Sequence, residues 1–220
     1  MALIMYLTKA PKVQDLTTEE YKTIPFEDAM LVDKYFNRQR AKEMGKNVGR
    51  TFEEWCGVSE DKLPDSWTIS YLSDFYTPKT VYHEQWGDTE TYSIFDQMAR
   101  IAKANQIFRW FIKNVMDGDP DQKYHEVTRG QLIELFTTCR RVKRKCRMIE
   151  PDEWYGDQYS VDEEFAKEHL PLMNERGLFF GTDEYGSAYA TDVIETYNAL
   201  KKILETTDFE KETIYFNAIW

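Results

Sequence analysis

The chain has 220 residues, 42% apolar and 30% charged, with a formal net charge of −11 and a pI near 4.9. That length suits one large domain or two small ones, and no apolar run approaches the ~20 residues of a membrane-spanning helix. The acidic balance disfavours non-specific nucleic-acid binding, which draws on phosphate neutralisation, and three cysteines (Cys56, Cys139, Cys146) make no disulfide framework, so a reducing, intracellular setting is expected.

Residues 2–8 (ALIMYLT) are short, apolar and bounded by Lys9 and Pro11, the pattern of a buried strand; MALIMYLTK lacks the basic start and cleavage site of a signal peptide. Thr17 and Thr18 before Glu19 and Glu20 resemble the first turn of a helix. Pro25 then opens a helical stretch, residues 26–44, with Ala29, Val32 and Phe36 on its apolar track and Gly45 at its end. Residues 50–88 read as short elements between turns. Thr51 with Glu54 has capping-box spacing, Asp65 or Ser66 caps a helix over 67–76, and residues 80–86 form a hairpin arm.

Residues 100–116 predict the central helix. Ile94, Met98, Ile101, Asn105, Phe108, Ile112 and Val115 recur at spacings of four and three, which places them on one face. Asn105 lies within that face, so it either bonds neighbouring backbone or lines a pocket. Trp110 lies almost opposite, so the helix is either covered on both sides or offers an aromatic anchor to a partner.

The polar turn at 117–122 (DGDPDQ) carries Pro120 and lacks the terminal Glu of a calcium loop. Thr128 with Gln131 forms a second capping box, ahead of a face built from Leu132, Leu135, Phe136, Cys139, Val142 and Cys146; both cysteines read as core. Residues 140–147 (RRVKRKCR) hold six cations and no acid, and an acidic block follows from Glu150 to Glu168. Helical spacing would put Arg140, Arg144 and Arg147 on one side, as an anion patch or as partners of that block; the adjacent acids favour the pairing. A short helix ends at Leu170–Pro171, and 178–180 reads as a strand between Gly177 and Gly181. A last helix carries Tyr189, Val193, Tyr197, Leu200 and Leu204, and residues 213–220 form an aromatic strand ending in Trp220.

The expected fold is α+β: a small mixed or antiparallel sheet including both terminal strands, covered by several helices. The two terminal segments should pair or lie close, since each needs a neighbour for its backbone. One domain over 1–220 is expected, with 12–89 as an elaboration.

The opening LIMYLTK, the block KANQIFRWF, the block GLFFGTDEY and the tail ending in Trp occur in that order. Together they resemble a family of small phage and prophage proteins without an assigned function. That family's central block runs WRKAN, then Ile, His and WF. Here Ile101 and Ala102 replace the Trp-Arg pair and Phe108 stands at the His position, so any role of that histidine does not carry over. The resemblance implies a phage origin, a setting in the cytoplasm of an infected bacterium, and 12–89 as family-specific; it implies no chemistry.

His83, His125 and His169 fit no metal spacing, and no nucleophile elbow, phosphate loop or dinucleotide fingerprint occurs, so neither metal nor cofactor is expected. The expected function is stoichiometric binding to a host protein, inhibiting a host defence system, with Trp110, Tyr185 and Tyr189 as anchors. The alternative is a small hydrolase or nucleotide-processing enzyme with a site between Asn105, Arg109, the 182–185 turn (Asp183, Glu184, Tyr185) and Tyr189. Nucleic-acid binding through Arg140, Arg144 and Arg147 is a third and weaker reading, and no membrane partner is expected.

Overall fold

The computed structural model describes residues 3–46, 49, 51–83, 87–152, 156–173, 181 and 184–220. The first apolar stretch forms β1 (Ile4–Pro11), followed by a small antiparallel pair, β2 (Val13–Gln14) and β3 (Tyr21–Lys22). Between that pair the expected helix start at Thr17 is instead a turn. Asp15 Oδ1 accepts from Thr17 N at 2.8 Å and from Thr18 N at 3.2 Å, and Glu19 takes φ 59. Short polar side chains have bonded the backbone locally, in competition with a helix.

Three helices follow: α1 (Phe26–Glu43) after Pro25, α2 (Phe52–Cys56) with the Thr51–Glu54 capping box, and α3 (Ser66–Ser73), whose cap Asp65 accepts from Thr68 N. A 3-10 turn (Glu60–Lys62) lies between the last two. Then come the hairpin strands β4 (Thr77–His83) and β5 (Gly87–Ser93), strand β6 (Asp96–Ala102), α4 (Asn105–Asn114) and β7 (His125–Val127). The chain continues through α5 (Arg129–Lys143), β8 (Cys146–Asp152), β9 (Gly156–Val161), α6 (Glu163–His169), α7 (Ser187–Thr206) and β10 (Glu212–Ile219).

The fold is α+β, with a mainly antiparallel four-stranded sheet in the order β6-β1-β10-β7. The first and last strands are neighbours, as their composition requires. β10 is buried at every residue from Thr213 to Ala218, as befits a strand flanked by others and covered on both faces.

Two expectations are corrected. The central helix starts at Asn105, and residues 96–102 are strand β6, where Ala99 and Ile101 are buried and Arg100 between them is not. The alternation was masked by apolar residues that also fall at spacings of three and four. Lys103, at φ 60, separates strand from helix. Likewise Cys146 and Arg147 belong to β8 and not to α5, so the basic run straddles a helix end and a strand start.

The chain divides into two compact units. One comprises the chain up to Leu7, Met98–Thr207 and Ile214–Trp220; the other comprises Thr8–Gln97 and Asp208–Thr213, and so contains all of 12–89. The second unit has its own core of Val13, Ala29, Val32, Leu72 and Ile94, with Phe36, Ile69 and Tyr76 against it. Within it the half-buried Asp33 carboxylate accepts from Ser93 Oγ (2.8 Å) and Ile94 N (2.7 Å). Burial raises its pKa against these bonds, a cost met by fastening α1 to the end of β5. In the first unit Phe111 stacks on Phe216 at 3.9 Å, and Phe108 packs against Trp220 at 5.3 Å.

Candidate functional site

Among the described residues, Ala104 of the sequence block 103–111 and Gly181 of the block 177–185 form a backbone bridge. Gly181 has φ +78, and a Cβ there would lie 1.7 Å from the Lys103 carbonyl oxygen, so the approach requires glycine. From this bridge α4 runs inward. Asn105, Gln106, Ile107, Phe108, Trp110 and Phe111 are all buried, so the helix is covered nearly all round.

Four of the expected site residues reach a single stretch of backbone, residues 170–173. Pro171 stops α6 there, and Leu170 and Leu172 are buried. Tyr189 Oη donates to the Leu170 carbonyl at 2.8 Å, and Tyr185 Oη accepts from Leu172 N at 3.1 Å. Arg109 Nη1 donates to the Leu172 carbonyl, and Asn105 Oδ1 accepts from Met173 N at 2.8 Å. An extended strap has no helix or sheet of its own to pair its N–H and C=O groups, and these side chains supply the partners. Asn105 is 5% exposed and hydrogen-bonded to backbone, as expected.

This arrangement corrects the anchor assignments. Trp110 is 8% exposed and Tyr189 fully buried, because α4 and α7 are packed against neighbours on the faces that carry them. Neither side chain is open to a partner. Tyr185 is half-buried with its ring 5.0 Å from Tyr189, and Glu184 is exposed. Asp183 lies outside the described residues.

Beside the strap, a cleft of about 240 Å³ opens between Arg109 and Lys113 on α4, Glu134 and Thr138 on α5, and His169 at the end of α6. Gln106 also lines it, and its Nε2 lies 3.4 Å from both the Tyr189 carbonyl and Asp192 Oδ2. Burial pushes the Asp192 carboxyl up to about 7, with Gln106 opposing and Glu195 reinforcing the shift. Gln106 Oε1 and Thr196 Oγ1 are buried without a hydrogen-bond partner among the described residues. His169 Nδ1 sits 3.0 Å from the Phe165 carbonyl, and His125 Nε2 sits 2.7 Å from Asp121. Cys139 is fully buried and Cys146 half-buried, with burial raising both thiols, the latter to about 11. Among the described residues no group of three or more His, Cys, Asp or Glu is placed to hold a metal ion, and no helix is long and apolar enough to cross a membrane.

The basic run has a different layout from the one expected. No ion pair joins Arg140, Arg144 or Arg147 to Asp162, Glu163, Glu164 or Glu168; the side chains of the earlier acids, Glu150, Asp152, Glu153 and Asp157, lie outside the described ones. Glu163 and Glu164 instead hold Lys167 at 2.9 and 3.2 Å, because helical spacing within α6 brings them together first. Lys143 lies over the Tyr197 ring at 4.2 Å and Lys145 over Phe165 at 5.3 Å. Next to the run, Met148 and Ile149 on β8 are 61% and 51% exposed. Sequence reading passed over these two; an apolar pair set between charged runs, where no helical face claims it, was the available signal. In the other unit Trp55 and Trp67 are each 42% exposed.

No family model matches the chain, and neither a curated protein nor a solved structure matches it.

Proposed function

We propose that this chain is a phage accessory protein that binds a host protein stoichiometrically in the cytoplasm of the infected bacterium, inhibiting a host defence system. The observation that supports this most is the exposure of two large apolar side chains of β8, Met148 and Ile149, with Ile149 on the same ribbon face as Arg147. Met and Arg are enriched in interface cores, and large apolar side chains left in water gain from being covered. The polar groups that an enzyme reading would use, Asn105, Arg109, Tyr185 and Tyr189, bind the chain's own strap. Their role in this reading is to fix the 170–173 backbone.

The test is capture of the partner from bacterial cells expressing the tagged chain, with native mass spectrometry of what is recovered. A complex of fixed integer ratio is expected. Met148→Ser with Ile149→Ser should lower its recovery at least about tenfold, while folding stability stays within roughly 0.5 kcal/mol, as surface changes do. Equal recovery with the double variant, or no fixed ratio at all, overturns the proposal.

A further inference from the structure

We infer that the surface at the end of α5 and the base of the β8–β9 ribbon receives an acidic segment of a partner protein, one that carries Asp or Glu carboxylates beside an apolar side chain. This rests on the stoichiometric-binding reading and names the chemistry of its partner. The groove there has a volume of about 420 Å³ and is lined by Arg144, Lys145, Arg147, Ser160 and Asp162.

The cations are fixed by local structure. Arg144 is the C-terminal cap residue of α5, and Arg147 stands directly opposite Ser160 in the antiparallel ribbon. The acid that lines the groove, Asp162, is engaged as the cap of α6, where its Oδ1 accepts from Phe165 N at 3.0 Å. The next acids along, Glu163 and Glu164, are taken by Lys167. Lys145 rests over the Phe165 ring. Arg144 and Arg147 are exposed and form no ion pair with Asp162, Glu163, Glu164 or Glu168. A guanidinium fork matches a carboxylate in two parallel N–H···O bonds, and the Ser160 hydroxyl adds a donor.

The apolar requirement comes from register. Ile149 lies two residues beyond Arg147, so strand alternation puts it on the same face of the ribbon. It is 51% exposed, and a purely ionic partner would leave it so. The net charge of −11 does not forbid an acidic partner. At physiological ionic strength charges beyond ~8 Å are largely screened, so the groove's own cations dominate at contact. An oligonucleotide fits less well. Three cations give a salt slope of only about −2 on a single strand, and neither Ile149 nor Met148 offers a ring on which a base could stack.

Fluorescence anisotropy on the full chain tests this with a labelled twelve-residue peptide alternating Glu and Leu. Comparison probes are the same peptide with Ser for Leu and a twelve-nucleotide single-stranded DNA. The Glu–Leu peptide should bind tightest. Arg144→Glu with Arg147→Glu should weaken it at least about tenfold, and Ile149→Ser roughly three- to fivefold. The neutral pair Arg144→Gln with Arg147→Gln should act in the same direction, which keeps the test valid if charge reversal disturbs folding. Unchanged binding by both arginine pairs, or tighter binding of the DNA, overturns the inference. Two further outcomes separate it from the proposed function. Fixed-ratio capture of a host protein that survives both arginine pairs overturns the acidic partner and spares stoichiometric binding. Arginine-dependent peptide binding without fixed-ratio capture supports the groove chemistry and overturns stoichiometric binding.

Discussion

Asn105 Oδ1 is the acceptor for the Met173 N–H, so Asn105→Ala leaves that donor unmatched and should cost roughly 1–3 kcal/mol. An unchanged melting temperature would count against the strap's dependence on it. Two glycines make opposite predictions. Gly181→Ala places a methyl 1.7 Å from Lys103 O at φ +78 and should lower the denaturant midpoint by more than about 1 kcal/mol equivalent. In Gly130→Ala the new Cβ meets only Thr128 Oγ1, at 3.9 Å, inside α5, so it should raise the midpoint by about 0.4–1 kcal/mol. Asp192 adds a pH signature. Its carboxyl titrates at about 7 in the fold against an ordinary 3.8, so the folded chain keeps a proton that the unfolded chain releases between those values. Its contribution to stability is full below pH 4, falls as pH rises towards 7, and then levels off. Asp192→Asn should remove that slope and melt higher than the wild type at pH 8, with little difference at pH 4. Equal melting temperatures at pH 8 would show that the carboxyl is not held protonated.

At the scale of elements, α5 depends on its start. Thr128 Oγ1 accepts from Gln131 N at 3.2 Å while Gln131 Oε1 accepts from Thr128 N at 2.9 Å, and Thr128→Ala should cost about 1 kcal/mol, read as a lowered melting temperature. Such caps were legible in the sequence because their chemistry is local: Thr51, Asp65 and Thr128 each sit three residues before the group they bond. The terminal strands were legible for a related reason, since an apolar run bounded by turn residues has few other uses. Residues 96–102 were not, because Met98 and Ile101 satisfy a helical spacing while Ala99 and Ile101 satisfy a strand's. Only the pairing with β1 decides between them. The strap was further out of reach. Arg109 and Asn105 bond to it across 63 and 68 residues, and periodicity carries no information at that range. The residue types at the site were therefore identified, and the role they play was not. The open β8–β9 ribbon was missed because the run before it was read as one continuous helix.

For the whole molecule, charge is unevenly spread. Within a chain of net −11, exposed Arg144 and Arg147 line one groove, and Ile149 is open on the ribbon face that carries Arg147. Solubility alone does not call for that arrangement, because apolar side chains in water are unfavourable unless a partner covers them. Stoichiometric binding gives the ribbon a use and leaves the buried polar groups to hold the fold. The most direct measurement is a titration of the captured partner's activity with the purified chain at partner concentrations well above the dissociation constant. Loss of activity that stops sharply at a fixed molar ratio is the expected result. Inhibition by trace amounts that deepens with time would mean turnover, and would contradict stoichiometric binding.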